Sequence, residues 1–119
     1  MKTLGIDYGR ARIGLAIADI LVTPIGNISN KNVKNKLLEI IKKHDIKQIV
    51  LGLPSGRMGE EVKRFGEWLQ FLGLPLIYQN EHLSSFAAEQ HIRATKSKET
   101  LDSIAACVIL TDWLKGENI

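Results

Sequence analysis

The sequence predicts an α/β fold: a mixed five-stranded sheet, with three antiparallel strands and then two parallel strands, and helices on both faces. Two observations predict this fold. Near the N-terminus, short apolar runs are joined by links that are too short for a helix, whereas from residue 33 onward helical periodicity alternates with short apolar runs. The 119 residues contain no repeat, linker or low-complexity segment, so we expect a single domain over residues 1–119.

The first three strands are predicted to form an antiparallel meander. Residues 3–8 are largely apolar and too short for a helix, and residues 13–19 form a second apolar run. The four residues between these runs suit a hairpin connection. Because Pro24 lacks the N–H that a central strand needs, the strand over residues 23–28 is expected at the sheet edge.

The first helix is predicted by a change from short apolar runs to helical spacing, and the strand after it by a further apolar run. Apolar residues recur at helical spacing between Val33 and Ile41, which predicts an amphipathic helix, and Asn30 or Asn32 could cap its start. Within residues 48–53, one polar residue is followed by an uninterrupted apolar run. Such a run is typical of a strand that is covered on both faces.

The rest of the chain is predicted to hold three more helices and one more strand. Pro54, Gly56 and Gly59 indicate a loop, and an amphipathic helix runs from Val62 to near Gly73. The remaining predicted elements are a strand over residues 74–78, a third helix from Ser84 or Ser85 to about Arg93, and a fourth helix over roughly residues 97–114.

Composition excludes several classes of protein. A single Cys excludes a disulfide framework and a multi-Cys zinc site. No apolar run approaches the ~20 residues of a membrane span, and Asp7 and Arg10 interrupt any signal-peptide core. We therefore expect a cytoplasmic protein without a membrane partner. The net charge of +3 is a mild indication of an anionic partner.

Three acidic residues are the candidates for chemistry. Asp7 lies near the end of an apolar strand, Glu81 shortly follows another strand, and Asp102 lies near the start of the last helix. Each has a plainer alternative. Asp7 could cap the turn at Gly9 or pair with a neighbouring arginine, Glu81 could be an exposed loop acid, and Asp102 could interact with the helix N-terminus.

Together, these acids can meet at one edge of the sheet. Two of them end strands that can be parallel neighbours through the strand between, and the third opens a helix that can pack beside them. Three carboxylates brought together repel one another unless a cation lies between them. Hard oxygen ligands suit Mg²⁺ or Mn²⁺, and such ions assist the hydrolysis of phosphodiesters.

Four segments carry a resemblance to a known family, and they lie in the family's order along the chain. The chain resembles the YqgF family of the ribonuclease H-like superfamily over essentially its whole length, and its order of elements is that of the ribonuclease H-like fold. The four segments are Gly5-Ile6-Asp7-Tyr8-Gly9 with Arg12-Ile13-Gly14, Val50-Leu51-Gly52-Leu53-Pro54, Glu81 with Leu83-Ser84-Ser85, and Asp102-Ser103-Ile104-Ala105-Ala106 with Ile109-Leu110.

The resemblance implies a metal-dependent nuclease. The family's metal-binding and catalytic acids map onto Asp7, Glu81 and Asp102, with Gly9 and Ser84 in supporting positions. The implied activity is maturation of the 5′ end of pre-16S rRNA in ribosome biogenesis, and cleavage of Holliday junctions in recombination and repair is the alternative. Mg²⁺ or Mn²⁺ would be the cofactor, nucleic acid the partner, and the protein a monomer or a homodimer.

The chain departs from the family pattern at several positions, among them Ser84 in place of a threonine and a short loop after Pro54. Asn80 replaces an acidic residue, His82 replaces an arginine, and Ala11 stands where the family often has a basic residue. A nucleic-acid-binding module without catalysis is therefore a second functional hypothesis. A third is a phosphotransferase of the actin and sugar-kinase superfamily, because Asp7 and Gly9 resemble its first phosphate loop. The chain is too short for the two lobes of that superfamily.

Basic residues near the three acids are the candidates for contacts with phosphates. Arginine and lysine in such positions would give affinity that depends on salt and little on sequence. Residues 31–47 hold six lysines against two acids, a local net charge of +4, which is most simply a solvated helix face. The candidates for binding nucleic acid are Arg10, Arg12, Arg57, Arg93, Lys96 and Lys98.

Overall fold

Five strands form one mixed sheet in the computed structural model, which describes residues 1–81 and 98–117, and only the backbone of residues 98–102 and 117. Their order across the sheet is β3-β2-β1-β4-β5. The strands are β1 (Thr3–Asp7), β2 (Arg12–Ala18), β3 (Val22–Ser29), β4 (Gln48–Leu53) and β5 (Leu76–Asn80). The helices are α1 (Val33–His44), α2 (Gly56–Gln70) and α3 (Lys98–Glu117).

The pairing of the strands confirms the predicted sheet. β1 and β2 are antiparallel, as are β2 and β3, whereas β1 pairs with β4, and β4 with β5, in parallel. The β3 strand, which contains Pro24, lies at one edge. Parallel pairing of β1, β4 and β5 brings their carboxyl ends to the same edge of the sheet. This is the edge at which Asp7 ends β1 and Glu81 follows β5.

Helices cover both faces of the sheet, and each face has its own apolar core. On one face, Leu37 of α1 and Val62 and Leu69 of α2 are fully buried in a cluster that includes Ile6 and Leu51 of the sheet. On the other face, α3 buries side chains against β1, β2 and β4. The buried members of this second cluster are Ala16, Ala18, Val50, Ala106, Ile109, Leu110 and Trp113. The prediction of helices on both faces is confirmed.

The second helix starts earlier than predicted. The loop expected at Pro54, Gly56 and Gly59 is wrong in part, because α2 begins at Gly56 and includes Gly59. A Cβ on residue 59 would collide with the carbonyl oxygen of Pro54. The glycine at position 59 therefore allows the first turn of α2 to pack closely on the end of β4, rather than breaking the helix.

Two other details differ from the prediction. The last strand covers Leu76–Asn80 rather than residues 74–78, since Gly73 turns with a positive φ of 81° and Pro75 has no N–H to donate. The capping prediction is correct only in position, because Asn32 is the N-cap residue of α1 but makes no capping bond. Asn32 precedes α1 in a left-handed conformation without a side-chain cap bond, and the Asn30 side chain bonds elsewhere.

The helix predicted from Ser84 or Ser85 to about Arg93 lies outside the described residues. The helix predicted over roughly residues 97–114 is confirmed as α3, which ends three residues later, at Glu117. Within the part of the chain that the structure describes, no helix is both long enough and apolar enough to cross a membrane.

Candidate active site at the carboxyl ends of the parallel strands

Asp7 is held at the end of β1 on the sheet face that α3 covers. A Cβ on Gly5 would collide with the Leu110 side chain of α3. Because alternate residues of a strand share a face, Asp7 projects on the same side as Gly5. Asp7 is half-buried, whereas the residues before it in β1 are fully buried. The carboxylate thus lies at the border between the apolar core and solvent.

Glu81 reaches the same face from the end of β5. Its backbone N–H donates a hydrogen bond of 3.2 Å to the carbonyl oxygen of Leu53, which extends the pairing of β4 and β5 by one residue. Its Oε1 atom lies 3.0 Å from the point that a Cβ on Gly52 would occupy. The Glu81 carboxylate therefore bends back over β4, in space that a glycine leaves open.

The register of the sheet brings these two acids together. Ile6 of β1 pairs with Leu51 of β4, so Asp7 and Gly52 hold the next positions on neighbouring strands. Neighbouring strands are about 5 Å apart. With Glu81 Oε1 lying over Gly52, the two acidic side chains share one face and one edge of the sheet. Two carboxylates in this arrangement provide the hard oxygen donors that Mg²⁺ and Mn²⁺ prefer.

The third predicted acid is described only by its backbone. Asp102 lies in α3, seven residues before Ile109, whose Cδ1 atom occupies the space beside Gly52. Seven helical residues span about 10 Å. Among the described residues, no group of three His, Cys, Asp or Glu side chains could hold a metal ion, and the Asp102 side chain is outside that description. The predicted sites at Ser84, Arg93, Lys96 and the Lys98 side chain also lie outside it.

The turn after Asp7 is fixed by a hydrogen bond from a distant residue. The Asn30 side-chain amide donates to the carbonyl oxygen of Gly9 at 2.7 Å, and the Asn30 backbone N–H donates to that of Ala11 at 3.0 Å. A Cβ on Gly9 would collide with the carbonyl oxygen of Arg12. Gly9 is therefore required for the tight turn that follows Asp7, which fits its predicted supporting position.

The two predicted arginines of this turn differ in exposure. Arg10 is exposed, and its Nε atom forms an ion pair of 3.2 Å with Glu61 Oε2 of α2, while Arg12 is half-buried at the start of β2. The Arg10 pair is solvent-exposed on the arginine side, so it constrains the side chain only weakly. An arginine in such a pair can still reach a phosphate.

A cleft of about 840 Å³ opens beside Glu81. It lies between the carboxyl ends of β4 and β5 and the first turns of α2. Arg57, a predicted nucleic-acid contact, lines the cleft together with Lys63, Glu60 and Asn80. Lys63 was not among the residues predicted to contact nucleic acid. No helical periodicity pointed to it, because residues six apart lie about 120° apart around a helix, and the sequence did not predict the early start of α2.

A comparison with family models, curated proteins and solved structures gives a consistent result. The model of the family described as "RuvX: Holliday junction resolvase" matches residues 1–116. Similar proteins from several bacteria are named "Putative pre-16S rRNA nuclease". The protein from Caldanaerobacter subterraneus subsp. tengcongensis is 32% identical, with 98% of each chain covered. That from Maridesulfovibrio salexigens is 37% identical, with 96% of this chain and 98% of the relative covered.

Two solved structures share the fold at low sequence identity. The RuvC protein of T. thermophilus in complex with a Holliday junction substrate has a TM-score of 0.64 at 13% identity, covering 98% of this chain and 96% of RuvC. The fowlpox virus Holliday junction resolvase has a TM-score of 0.61 at 14% identity, with both chains fully covered. The ribonuclease H-like fold predicted from the sequence is confirmed.

Proposed function

Because the chain belongs to the RuvX family of Holliday junction resolvases, it is a nuclease that hydrolyses phosphodiester bonds, and we propose that it is a divalent-metal-dependent endonuclease acting on the 5′ end of pre-16S rRNA. The observation that carries the proposal is the placement of two acids from distant parts of the sequence. Asp7 and Glu81 share one face and one edge of the sheet, with the Glu81 carboxylate lying over Gly52.

Asp7 and Glu81 hold the cation in this proposal, and Asp102 completes the set of ligands from the start of α3. With Mg²⁺ or Mn²⁺ held there by these carboxylates, the site would supply the positive charge that stabilises the phosphoryl oxygens during hydrolysis. The carboxylates fix the position of that charge, and the apolar contacts of α3 with Gly5 and Gly52 hold the sheet and the helix together beneath them. Gly9 and Ser84 keep their supporting roles.

The substrate's phosphates bind to the basic residues around these acids. Arg57 and Lys63 line the cleft beside Glu81, so they can contact phosphates that flank the scissile bond. Arg10 lies on the turn that follows Asp7, and Arg12 begins β2 directly after that turn. Arg93, Lys96 and Lys98, in the segment before Asp102, are proposed as further contacts. Binding of this kind weakens as the salt concentration rises.

The choice of substrate follows the curated relatives, which cover nearly the whole chain and carry the pre-16S rRNA name. Such a substrate is consistent with a role in ribosome biogenesis in the cytoplasm. A Holliday junction is the second candidate, and it is favoured by the description of the family and by the fold shared with resolvases. Cutting both strands of a junction requires a two-fold dimer, whereas a monomer suffices for RNA.

The experiment that tests the function compares these substrates directly. A labelled RNA carrying the 5′ extension of 16S rRNA and a labelled four-way DNA junction are incubated with the protein in Mg²⁺, in Mn²⁺ and in EDTA. We expect metal-dependent cleavage of the RNA and little cleavage of the junction. Faster cleavage of the junction by a dimer would favour the resolvase. Metal-independent binding without any cleavage would instead support a non-catalytic binding module.

A further inference from the structure

A second surface adjoins the candidate site, on the side of the turn that follows Asp7. The two hydrogen bonds from Asn30 to Gly9 and Ala11 hold the residues before α1 against this turn. Arg10 on the turn and Lys31 next to Asn30 are therefore neighbours, and both are exposed. The turn that follows Asp7 and the residues just before α1 therefore lie side by side.

An aromatic ring lies at the far end of this surface. The Lys34 Nζ atom is 5.3 Å above the centre of the Trp68 ring, in cation–π contact. The Trp68 ring centre lies 6.0 Å from that of Phe65, and Phe65 lies 4.8 Å from Tyr8, which follows Asp7 in the chain. Two ring contacts in sequence thus connect Trp68 with Tyr8, the residue next to the candidate catalytic acid.

The charge of this surface matches a nucleic acid. Arg10, Lys31 and Lys34 are exposed cations, and Arg10 forms an ion pair with the partly buried Glu61. The first two lysines of the basic segment 31–47 belong to this surface. Exposed lysines alone indicate only a solvated helix, but here one of them covers an aromatic ring that a base could take as a stacking partner.

We propose that Arg10, Lys31, Lys34 and Trp68, the turn–helix surface, bind an unpaired strand of nucleic acid as it leaves the active site. A base stacks on Trp68 in place of the Lys34 ammonium, which moves to a neighbouring phosphate, while Arg10 and Lys31 contact phosphates nearer to Asp7. The inference rests on the proposed nuclease function and narrows its substrate. It predicts that the strand beside the scissile bond is single-stranded.

Binding experiments in EDTA test the surface separately from catalysis. The probe is a labelled single-stranded RNA of about ten nucleotides, compared with a duplex of the same length, and affinity is measured by fluorescence anisotropy. Lys34→Ala removes the cation over Trp68. Lys43→Ala is the matched control, because it removes an exposed lysine from the last turn of the same helix. Trp68→Leu removes the ring, and Trp68→Phe keeps a smaller one.

We expect Lys34→Ala and Trp68→Leu each to weaken binding of the single strand at least about fivefold, and Trp68→Phe to weaken it less. Lys43→Ala should change it by less than about twofold, and the duplex should respond little to loss of the ring. Tryptophan fluorescence of the wild-type protein should be quenched by the single strand. This quenching should be absent in Trp68→Phe, because the remaining tryptophan, Trp113, is buried in the core between α3 and the sheet.

Equal losses of affinity for the single strand in Lys34→Ala and Lys43→Ala would overturn the proposal. Unchanged affinity in both Trp68 variants would overturn it as well, and so would a wild-type protein that does not bind the single strand. If this surface instead bound a protein partner, the variants would leave the affinity for RNA unchanged. Thermal melting of each variant identifies losses that come from unfolding. The binding measurements contain no metal, so they are independent of cleavage. If the wild-type protein cleaves RNA but its affinity for the single strand does not depend on Trp68, only the proposed surface is refuted. A protein that binds through Trp68 without cleaving refutes the nuclease alone.

Discussion

The Glu81 carboxylate lies over Gly52, with Oε1 3.0 Å from the point where a side chain at residue 52 would begin. The same point is in contact with Ile109 of α3. Gly52 therefore does two things at once: it allows α3 to pack on β4, and it leaves room for an acid from the end of β5. A bulkier residue would have to displace one or both of these neighbours.

Gly52→Ala should accordingly impair the site more than the fold. The added methyl group overpacks a tight region, so we expect a loss of about 1–3 kcal/mol in the free energy of unfolding, together with a loss of metal-dependent cleavage. Gly5→Ala is the matched control, since the three atoms nearest to its methyl group would all belong to Leu110 of the same helix. Thermal melting and cleavage rates are measured for both variants. Equal residual activity in two equally destabilised variants would argue against a role for Gly52 in placing Glu81.

Asn30 should matter through its hydrogen bond to the turn. Asn30→Ala removes the amide that donates to the Gly9 carbonyl at 2.7 Å, and we expect a loss of about 1 kcal/mol in the free energy of unfolding. Asn30→Asp should cost at least as much, because a carboxylate cannot donate to a carbonyl. Urea unfolding measures both variants. Unchanged stability in Asn30→Asp would show that this bond does not hold the turn.

Gly66 in α2 should be intolerant of any side chain. A Cβ on residue 66 would collide with the Tyr78 hydroxyl of β5 and would lie 2.9 Å from its Cζ atom. Gly66→Ala should therefore destabilise the protein by about 1–3 kcal/mol. Adding Tyr78→Phe removes the nearest atom and should restore part of the loss. A double-mutant cycle from chemical unfolding tests this, and strictly additive effects would contradict the contact.

Cys107 should react slowly with thiol reagents at neutral pH. Burial raises the pKa of its thiol to about 11, so little thiolate is present in the folded protein at pH 8. The thiolate fraction, and with it the rate of alkylation by iodoacetamide, should rise about tenfold per pH unit up to that pKa. The protein unfolded in urea is the control, and its alkylation rate should level off once the pH exceeds the ordinary pKa of a thiol. A plateau near pH 9 in the folded protein would contradict the prediction.

Most of the fold could be predicted from local patterns in the sequence. Short apolar runs and Pro24 indicated the order and the edge of the first strands, because strand length and a missing N–H act locally. The start of α2 could not be predicted in this way. Gly59 carries the usual signal of a loop, and only the close approach of the Pro54 carbonyl oxygen shows why a glycine lies within the helix.

The acidic residues of the candidate site could be predicted from the sequence, but the residues that hold them in position could not. A carboxylate at the end of a buried strand is costly unless a partner or a cation compensates it, so the position of Asp7 predicts a functional acid. The roles of Gly52 and Asn30 depend on contacts between residues far apart in sequence, which periodicity does not record. Lys63 was missed for the same reason, because its place beside Glu81 follows from how α2 packs on the sheet.

The central claim is that Asp7 and Glu81 jointly hold a divalent cation that is needed for cleavage. The most direct test measures the cleavage rate of the pre-16S rRNA fragment against Mg²⁺ concentration for the wild-type protein, Asp7→Asn and Glu81→Gln. Both variants remove a charge and nearly preserve shape, so melting should show that they stay folded. The account predicts a wild-type rate that disappears in EDTA and falls at least about 100-fold in each variant. Cleavage that persists in EDTA, or that survives in Asp7→Asn, would contradict it.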